Sequence, residues 1–229
     1  MMSSSNSVSR LVECIDKVGV RFRDGGDTGF WCESDAMGLL VHYLWSAPSM
    51  IGQPCGKRSV SVPLFHLEVP TRAPVPGKKR GRYDLALFSA ADACNVGDQD
   101  MRYADYGRQI AKNRRALAVV EMVMCGPTVN EGGKLADISY EIAKIRENAL
   151  AGQTDCGIVA VFCWTHSTPG TSSRPRAVRP VSRFSDDIDD LSRLLSQSCP
   201  RVNPEERVYI YYVSDSPHEP PPAWIRAKP

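Results

Sequence analysis

The sequence of 229 residues lacks the short motifs that would assign a function directly. It has no Walker A loop, no GxSxG turn and no GxGxxG turn, which leaves nucleotide-dependent enzymes and serine hydrolases with little support. None of its eight cysteines belongs to a CxxC pair, so the usual spacing of a zinc ribbon is missing. We therefore interpret the cysteines as buried free thiols in a reducing compartment.

Long hydrophobic runs and a strong charge imbalance are missing as well. No segment approaches the roughly 20 apolar residues of a membrane span, and the Ser-rich start has no apolar core of the signal-peptide type. These absences predict a cytoplasmic protein that does not enter a membrane. The formal net charge is only +2, so any binding of a polyanion has to come from local clusters of cations.

The distribution of apolar residues predicts an α/β protein with a mixed central β-sheet flanked by α-helices. Two near-continuous apolar segments, at 117–125 and 156–167, are typical of strands that are covered on both faces. Further strands are predicted at 59–69, 83–90 and 207–215, and amphipathic helices at 10–20, 33–47, 134–150 and 185–197.

The domain organisation is predicted from length and composition. The Ser-rich residues 1–10 are expected to be disordered. Residues 11–215 suit one medium-sized α/β domain, and residues 216–229 form a Pro-rich tail. The polar segment 92–115 is predicted to be an insertion with at most a short helix near its end.

Glu121 lies close to the middle of the most apolar stretch, ALAVVEMVMCG at 116–126. A carboxylate buried without a partner costs several kcal/mol, so it pairs with a cation, takes up a proton or binds a metal ion. Asp84 follows Tyr83 at the start of the strand YDLALFSA, and Glu33 begins an amphipathic helix. If neighbouring strands bring Asp84 and Glu121 together, their oxygens form a site for Mg²⁺ or Mn²⁺.

Each of the three acids also has an ordinary structural interpretation. Glu121 can point outward or pair with an Arg or Lys, and Asp84 can pair with the neighbouring Arg82. Glu33 can be a surface acid that the helix dipole stabilises. The order of the three acids along the chain favours the metal site over these separate explanations.

That order resembles the PD-(D/E)XK nuclease superfamily, whose core is a mixed sheet flanked by helices. The resemblance covers roughly residues 30–165. It implies that Asp84, in the pair Tyr83–Asp84, corresponds to the metal-binding acid of the "PD" motif. It further implies that Glu121 in VVEMV corresponds to the second metal ligand, and that Glu33 corresponds to the helix acid found in many members.

The chain departs from the family motif at the lysine, because Val123 occupies the position two residues after Glu121. That lysine would orient the attacking water and offset developing negative charge. Lys134, at the start of the following helix, is the predicted replacement, whereas Lys144 is expected to lie too far along that helix. An active site with a displaced lysine, a weakly active site and a metal-free relic all remain open.

Two loops without acids contain clusters of cations, and we predict that these contact nucleic-acid phosphates. The predicted phosphate-binding residues are Arg72, Lys78, Lys79, Arg80 and Arg82 in the first loop and Arg174, Arg176 and Arg179 in the second. The alternative is that both loops are simply solvated.

Three hypotheses about function remain at this point. The first is a nuclease that depends on Mg²⁺ or Mn²⁺ and acts on DNA in preference to RNA. The second is a catalytically inactive module of the same fold that binds nucleic acid or a protein partner, and the third is an unrelated α/β protein. A homodimer is left open in each case.

Overall fold

The computed structural model describes ten stretches of the chain, from the fourth residue to the 226th. They are residues 4–25, 30, 32–52, 61–73, 81–97, 112–126, 128–164, 182–197, 207–215 and 220–226.

An open sheet of six strands, ordered as in the sequence, forms the centre of the fold. The strands are β1 (Phe65–Pro70), β2 (Arg82–Phe88), β3 (Ala116–Cys125), β4 (Cys156–Cys163), β5 (Arg207–Ser214) and β6 (Ala223–Arg226). The first three strands pair antiparallel, β3, β4 and β5 pair parallel, and β6 returns antiparallel to β5. The predicted mixed sheet is therefore confirmed.

Helices cover both faces of this sheet. They are α1 (Ser4–Gly25), α2 (Glu33–Trp45), α3 (Ala90–Gly97), α4 (Lys134–Leu150) and α5 (Ser182–Gln197). The ring of Phe22 in α1 contacts Phe162 of β4, with the centroids 5.2 Å apart. On the opposite face of β4, a Cβ at Gly157 would lie 2.2 Å from Ile145 Cγ2, so only glycine lets α4 approach this closely.

The direction of α4 follows from the parallel pairing of β3 with β4. Because both strands run the same way, the chain has to return antiparallel to them before it enters β4. The turn into α4 contains Gly132 and Gly133, whose φ values of +63° and +78° favour glycine. The first turn of α4 therefore lies towards the carboxyl end of β3, and its later turns pass the middle of that strand.

Two predictions at the ends of the chain are wrong. Residues 4–10, expected to be disordered, begin α1, because the apolar stripe that buries Leu11 and Ile15 continues back to the half-buried Val8. The expected Pro-rich tail contains β6, in which Ile225 pairs with Ile210 of β5. Both elements were missed because the predictions for these segments were based on their serine and proline content. Composition contains no information about the contacts that α1 and β6 make with the sheet.

The polar segment at 92–115 yields one unexpected helix, α3, whose start is stabilised by contacts between Ser89 and Asp92. Most of the short helix expected near the end of this segment lies outside the described residues. No described helix combines the length and the apolar character that crossing a membrane requires.

Candidate active site

The candidate site lies where β2 and β3 stop pairing. Their pairing runs back only as far as Leu85 and Val120, and Asp84 and Glu121 are the next residues on the two strands. Beyond that point the backbone N–H of Met122 donates to Asp84 Oδ2 at 2.8 Å. At the fork between the strands, the Asp84 carboxylate therefore accepts the hydrogen bond that a backbone carbonyl of a paired strand would otherwise accept.

Glu33 reaches the same edge of β3 from the first residue of α2. The backbone N–H of Met124 donates to Glu33 Oε1 at 3.1 Å. Asp35 caps the start of α2 by accepting from the Cys32 N–H at 3.0 Å, which leaves Glu33 available for the sheet. Since alternate strand residues lie about 7 Å apart, the carboxylates of Glu33 and Asp84 occupy neighbouring positions along one strand edge.

Glu121 is buried, and its partner is Lys144 from the third turn of α4. Lys144 Nζ lies 2.7 Å from Glu121 Oε1, with side chains that are 5% and 3% exposed. The same ammonium donates to the Arg82 carbonyl oxygen at 2.8 Å and forms an ion pair with Glu141, one helical turn earlier. Its three N–H donors thus face three acceptors, one from β3, one from β2 and one from α4.

Two aromatic rings border the Lys144 ammonium. The centroids of Tyr83 and Tyr140 lie 5.9 and 6.0 Å from Nζ, within the range of a cation–π interaction. Burial, with smaller contributions from Glu121 and Glu141, raises the pKa of the Tyr83 hydroxyl far above its ordinary value. Tyr83 is therefore a neutral wall of the site, and the charge that faces Glu121 is that of Lys144.

The charges of the site are unbalanced, because it holds four carboxyls, of which two contact the Lys144 ammonium. Burial raises the pKa of Glu121 well above its ordinary value, and Glu141 and Asp84 raise it further against the lowering effect of Lys144. Burial also raises the pKa of Asp84, and Glu141 and Glu33 add to that rise. Burial lowers the pKa of Lys144, but Glu121 and Glu141 more than offset this and keep it charged. The cluster of carboxyls consequently favours the uptake of another positive charge, as a proton or as a metal ion.

Two of these carboxyls have the chemistry of metal ligands. Within the described stretches, no three His, Cys, Asp or Glu side chains are close enough to bind a metal ion as a group. Asp84 and Glu121 are carboxyls at neighbouring strand positions, and Mg²⁺ keeps several waters and is commonly bound by one or two carboxylates together with substrate phosphates. Their hard oxygens also suit Mn²⁺.

The expectation that Lys134 reaches Glu121 while Lys144 lies too far away is wrong. Lys134 forms an ion pair with Asp137 at 3.3 Å and lies about three helical turns, roughly 15 Å, from Lys144 along α4. Glu121 lies four residues before the end of β3 at Cys125. Four strand residues span about 13 Å, which a returning helix covers in about nine residues. Counting about nine residues along the helix from Lys134 ends close to Lys144, so the sequence already contained the information that favours Lys144.

Val123 occupies an interior position of the sheet. It is buried and pairs with Val161 of β4. Val123 and Glu121 point to the same face, since side chains alternate along a strand. A positive charge reaches this face from α4 instead, through the contact of Lys144 with Glu121.

Arg72 was predicted to bind phosphate, but its guanidinium connects two loops of the protein by hydrogen bonds. The three nitrogens donate to the backbone carbonyls of Lys112, Asn113, Ala151 and Gly152, at 2.7 to 3.4 Å. Arg82 forms a half-exposed ion pair with Glu68 at 3.4 Å. The other predicted phosphate-binding residues, Lys78, Lys79, Arg80, Arg174, Arg176 and Arg179, lie outside the described residues.

Replacing Arg72 by Met should destabilise the protein by about 2 kcal/mol, because several carbonyls lose a charged donor. Urea denaturation measures this change. The salt dependence of nucleic-acid binding should stay the same, since the guanidinium is engaged within the fold. A shallower salt dependence with unchanged stability would restore the phosphate-binding interpretation of Arg72.

A groove elsewhere on the molecule shares no residue with the candidate site. It has a volume of about 620 Å³ and lies at the start of β4 and β5, where Tyr209, Trp224 and Ile158 line it. None of the four acids contributes to its walls.

Comparison of the chain with protein-family models, curated proteins and solved structures found no match.

Proposed function

We propose that the protein is a divalent-metal-dependent nuclease of the PD-(D/E)XK type that hydrolyses phosphodiester bonds in nucleic acid. Asp84 and Glu121 are the proposed metal ligands, and Lys144 is the proposed catalytic cation. The observation that carries this proposal is the contact between the Lys144 ammonium and Glu121, directly beside the fork where Asp84 is held.

The proposed chemistry needs a hard cation and an ammonium next to one another. Mg²⁺ or Mn²⁺ bound by Asp84 and Glu121 would polarise the phosphodiester and lower the pKa of a bound water. Lys144 would orient the attacking water and offset the negative charge that develops on the phosphorane oxygens. Glu33 would hold the open edge of β3 in place through the Met124 N–H.

The connectivity supports the proposal. The chain passes from a helix that begins with Glu33 through an antiparallel pair, β2 and β3, which present Asp84 and Glu121. It then enters α4 and the parallel strand β4. This is the order that the resemblance implies. The family motif has a lysine where this chain has Val123, and we propose that Lys144 replaces that lysine. Nucleic acid, with DNA preferred to RNA, is the corresponding substrate class, and the basic loops are the proposed phosphate contacts.

A second candidate function is a catalytically inactive module that binds nucleic acid or a protein partner. The observation in its favour is that Lys144 is buried and has an acceptor for each of its three donors. Such an ion cluster also serves as a connection between α4 and the strands β2 and β3. Breaking it would then affect stability alone.

The decisive assay incubates the protein with single- and double-stranded DNA and RNA in Mg²⁺, in Mn²⁺ and in a chelator. We expect cleavage that requires the metal and that falls at least about a hundredfold in Asp84→Asn, because one anionic ligand is lost. The fold should persist, since the Asn oxygen still accepts from the Met122 N–H. Calorimetry should show weaker Mn²⁺ binding by this variant.

The matched control is Asp155→Asn, which neutralises an aspartate that lies just before β4 and forms an exposed ion pair with Arg115. Cleavage by this variant should match wild type. If folded wild type binds nucleic acid but cleaves none of the substrates in either metal, the nuclease proposal is wrong and the binding module is favoured.

A further inference from the structure

We propose that Glu141 is a positioning residue that keeps the Lys144 ammonium beside β2 and β3 when a metal ion engages Glu121. The inference rests on the proposed function, since it concerns the metal-bound state of the same site. It adds a residue that the resemblance does not supply and that the sequence pattern did not single out.

Lys144 has two carboxylate partners, which belong to different secondary-structure elements. Glu121 belongs to β3 and is a proposed metal ligand, whereas Glu141 belongs to α4, the helix of Lys144 itself. Glu141 precedes Lys144 by three residues, so the two side chains project from the same helix face. Their relative position therefore depends on the helix alone and survives a change at the strand.

Metal binding would set the ammonium and the metal ion in competition for Glu121. The two cations would repel each other, and burial leaves little water to screen that repulsion, so an ammonium without another anchor would be displaced. Glu141 and the Arg82 carbonyl are the two anchors that do not depend on Glu121. Of these, Glu141 contributes the full negative charge that offsets the repulsion.

The burial of Glu141 indicates that the contact is specific. Its side chain is only 19% exposed, compared with 61% for Asp137, which forms the other ion pair of α4 at the same spacing with Lys134. Glu141 Oε2 is itself buried, and its ion pair with the Lys144 ammonium compensates its desolvation. Exposed pairs such as Lys134–Asp137 contribute little, and this makes Asp137 a suitable control.

The first test measures the cleavage kinetics of Glu141→Gln, which removes the charge and keeps the size of the side chain. We expect kcat to fall about ten- to a hundredfold, because the transition state loses a positioned cation, while KM for nucleic acid changes by less than about twofold. Glu141→Asp should restore part of kcat, and Asp137→Asn should match wild type. An unchanged kcat in folded Glu141→Gln overturns the proposal.

The second test observes the lysine ammonium directly by NMR, using Mg²⁺ because it is diamagnetic. The Lys144 ammonium signal, assigned by its loss in Lys144→Arg, should persist in wild type with and without Mg²⁺. In Glu141→Gln it should persist without the metal, where Glu121 still holds the ammonium, and disappear by rapid proton exchange when Mg²⁺ is added. A residue with a merely structural role would not produce this dependence on the metal.

Calorimetry on the same samples separates the two ways in which the idea can fail. If wild type binds no Mg²⁺, the proposed function fails and this inference fails with it. If Glu141→Gln binds Mg²⁺ and its Lys144 signal persists, only the positioning role of Glu141 is overturned.

Discussion

Replacing Glu121 by Gln should reduce metal-dependent cleavage by about a thousandfold or more and leave the protein folded. A metal ligand supports several kcal/mol of transition-state stabilisation, and each 1.4 kcal/mol, approximately, corresponds to a factor of ten in rate. The fold should survive because a neutral amide is easier to bury than a carboxylate. Lys144 also keeps Glu141 and the Arg82 carbonyl as acceptors.

Single-turnover cleavage in Mn²⁺ and calorimetric titration with Mn²⁺ measure the two expected losses, of rate and of metal affinity. Glu68→Gln is the matched control, since Glu68 is also a strand glutamate in an ion pair but is half exposed at the edge strand β1. Wild-type cleavage by folded Glu121→Gln would remove Glu121 from the metal site and contradict the proposed mechanism.

Replacing Lys144 by Met should lower both stability and cleavage. The variant leaves Glu121 and Glu141 as buried carboxyls without a cation, and breaking a buried pair in this way typically costs about 3 to 5 kcal/mol. Much of that cost should disappear in the double variant Glu121→Gln/Lys144→Met, because one of the unpaired carboxyls has then been removed. Urea denaturation of the two single variants and the double variant measures this coupling.

The stability of Lys144→Met should also depend on pH in a defined direction. The folded-state pKa of Glu121 is already raised by burial, and loss of the Lys144 charge raises it further. A carboxyl with a raised folded-state pKa contributes stability below its ordinary pKa, and this contribution is lost as the pH rises through the folded-state value. The deficit relative to wild type should therefore be smallest at acid pH and grow towards neutral pH.

Lys134→Met makes the comparison within the same helix. Its exposed ion pair with Asp137 should contribute less than about 0.5 kcal/mol, and cleavage should remain close to wild type. Loss of cleavage in Lys134→Met together with normal cleavage in Lys144→Met would reverse the assignment of the catalytic cation.

The amino-acid sequence was sufficient to predict the interior strands. In β4 all eight residues are buried, and in β3 all but two are, so that a continuous apolar run was the direct consequence of covering both sheet faces. One carboxylate in such a run is costly, and the sequence therefore singled out Glu121 as a residue that needs a partner. The strand that contains Asp84 and the helix that starts at Glu33 were predicted in the same way, from local pattern.

Elements at the ends of the chain were missed because their stability comes from contacts that composition does not record. Val8 and Leu11 place the Ser-rich start of α1 against the sheet, and Trp224 of β6 contacts Tyr211 of β5 and donates to Asp16 of α1. The last of these partners is 208 residues away in the sequence.

The alternation of strands and helices and the order of the three acids can be read from the sequence, since both depend on residues that are close together in the chain. The pairing of each cation with its partner depends on how the elements pack. Arg72 binds carbonyls that are 40 to 80 residues away, and Lys144 meets Glu121 because the return path of α4 brings its third turn level with the middle of β3. Long, flexible cationic side chains carry no periodic signal of their own, so their partners are fixed by where the packed backbone places them.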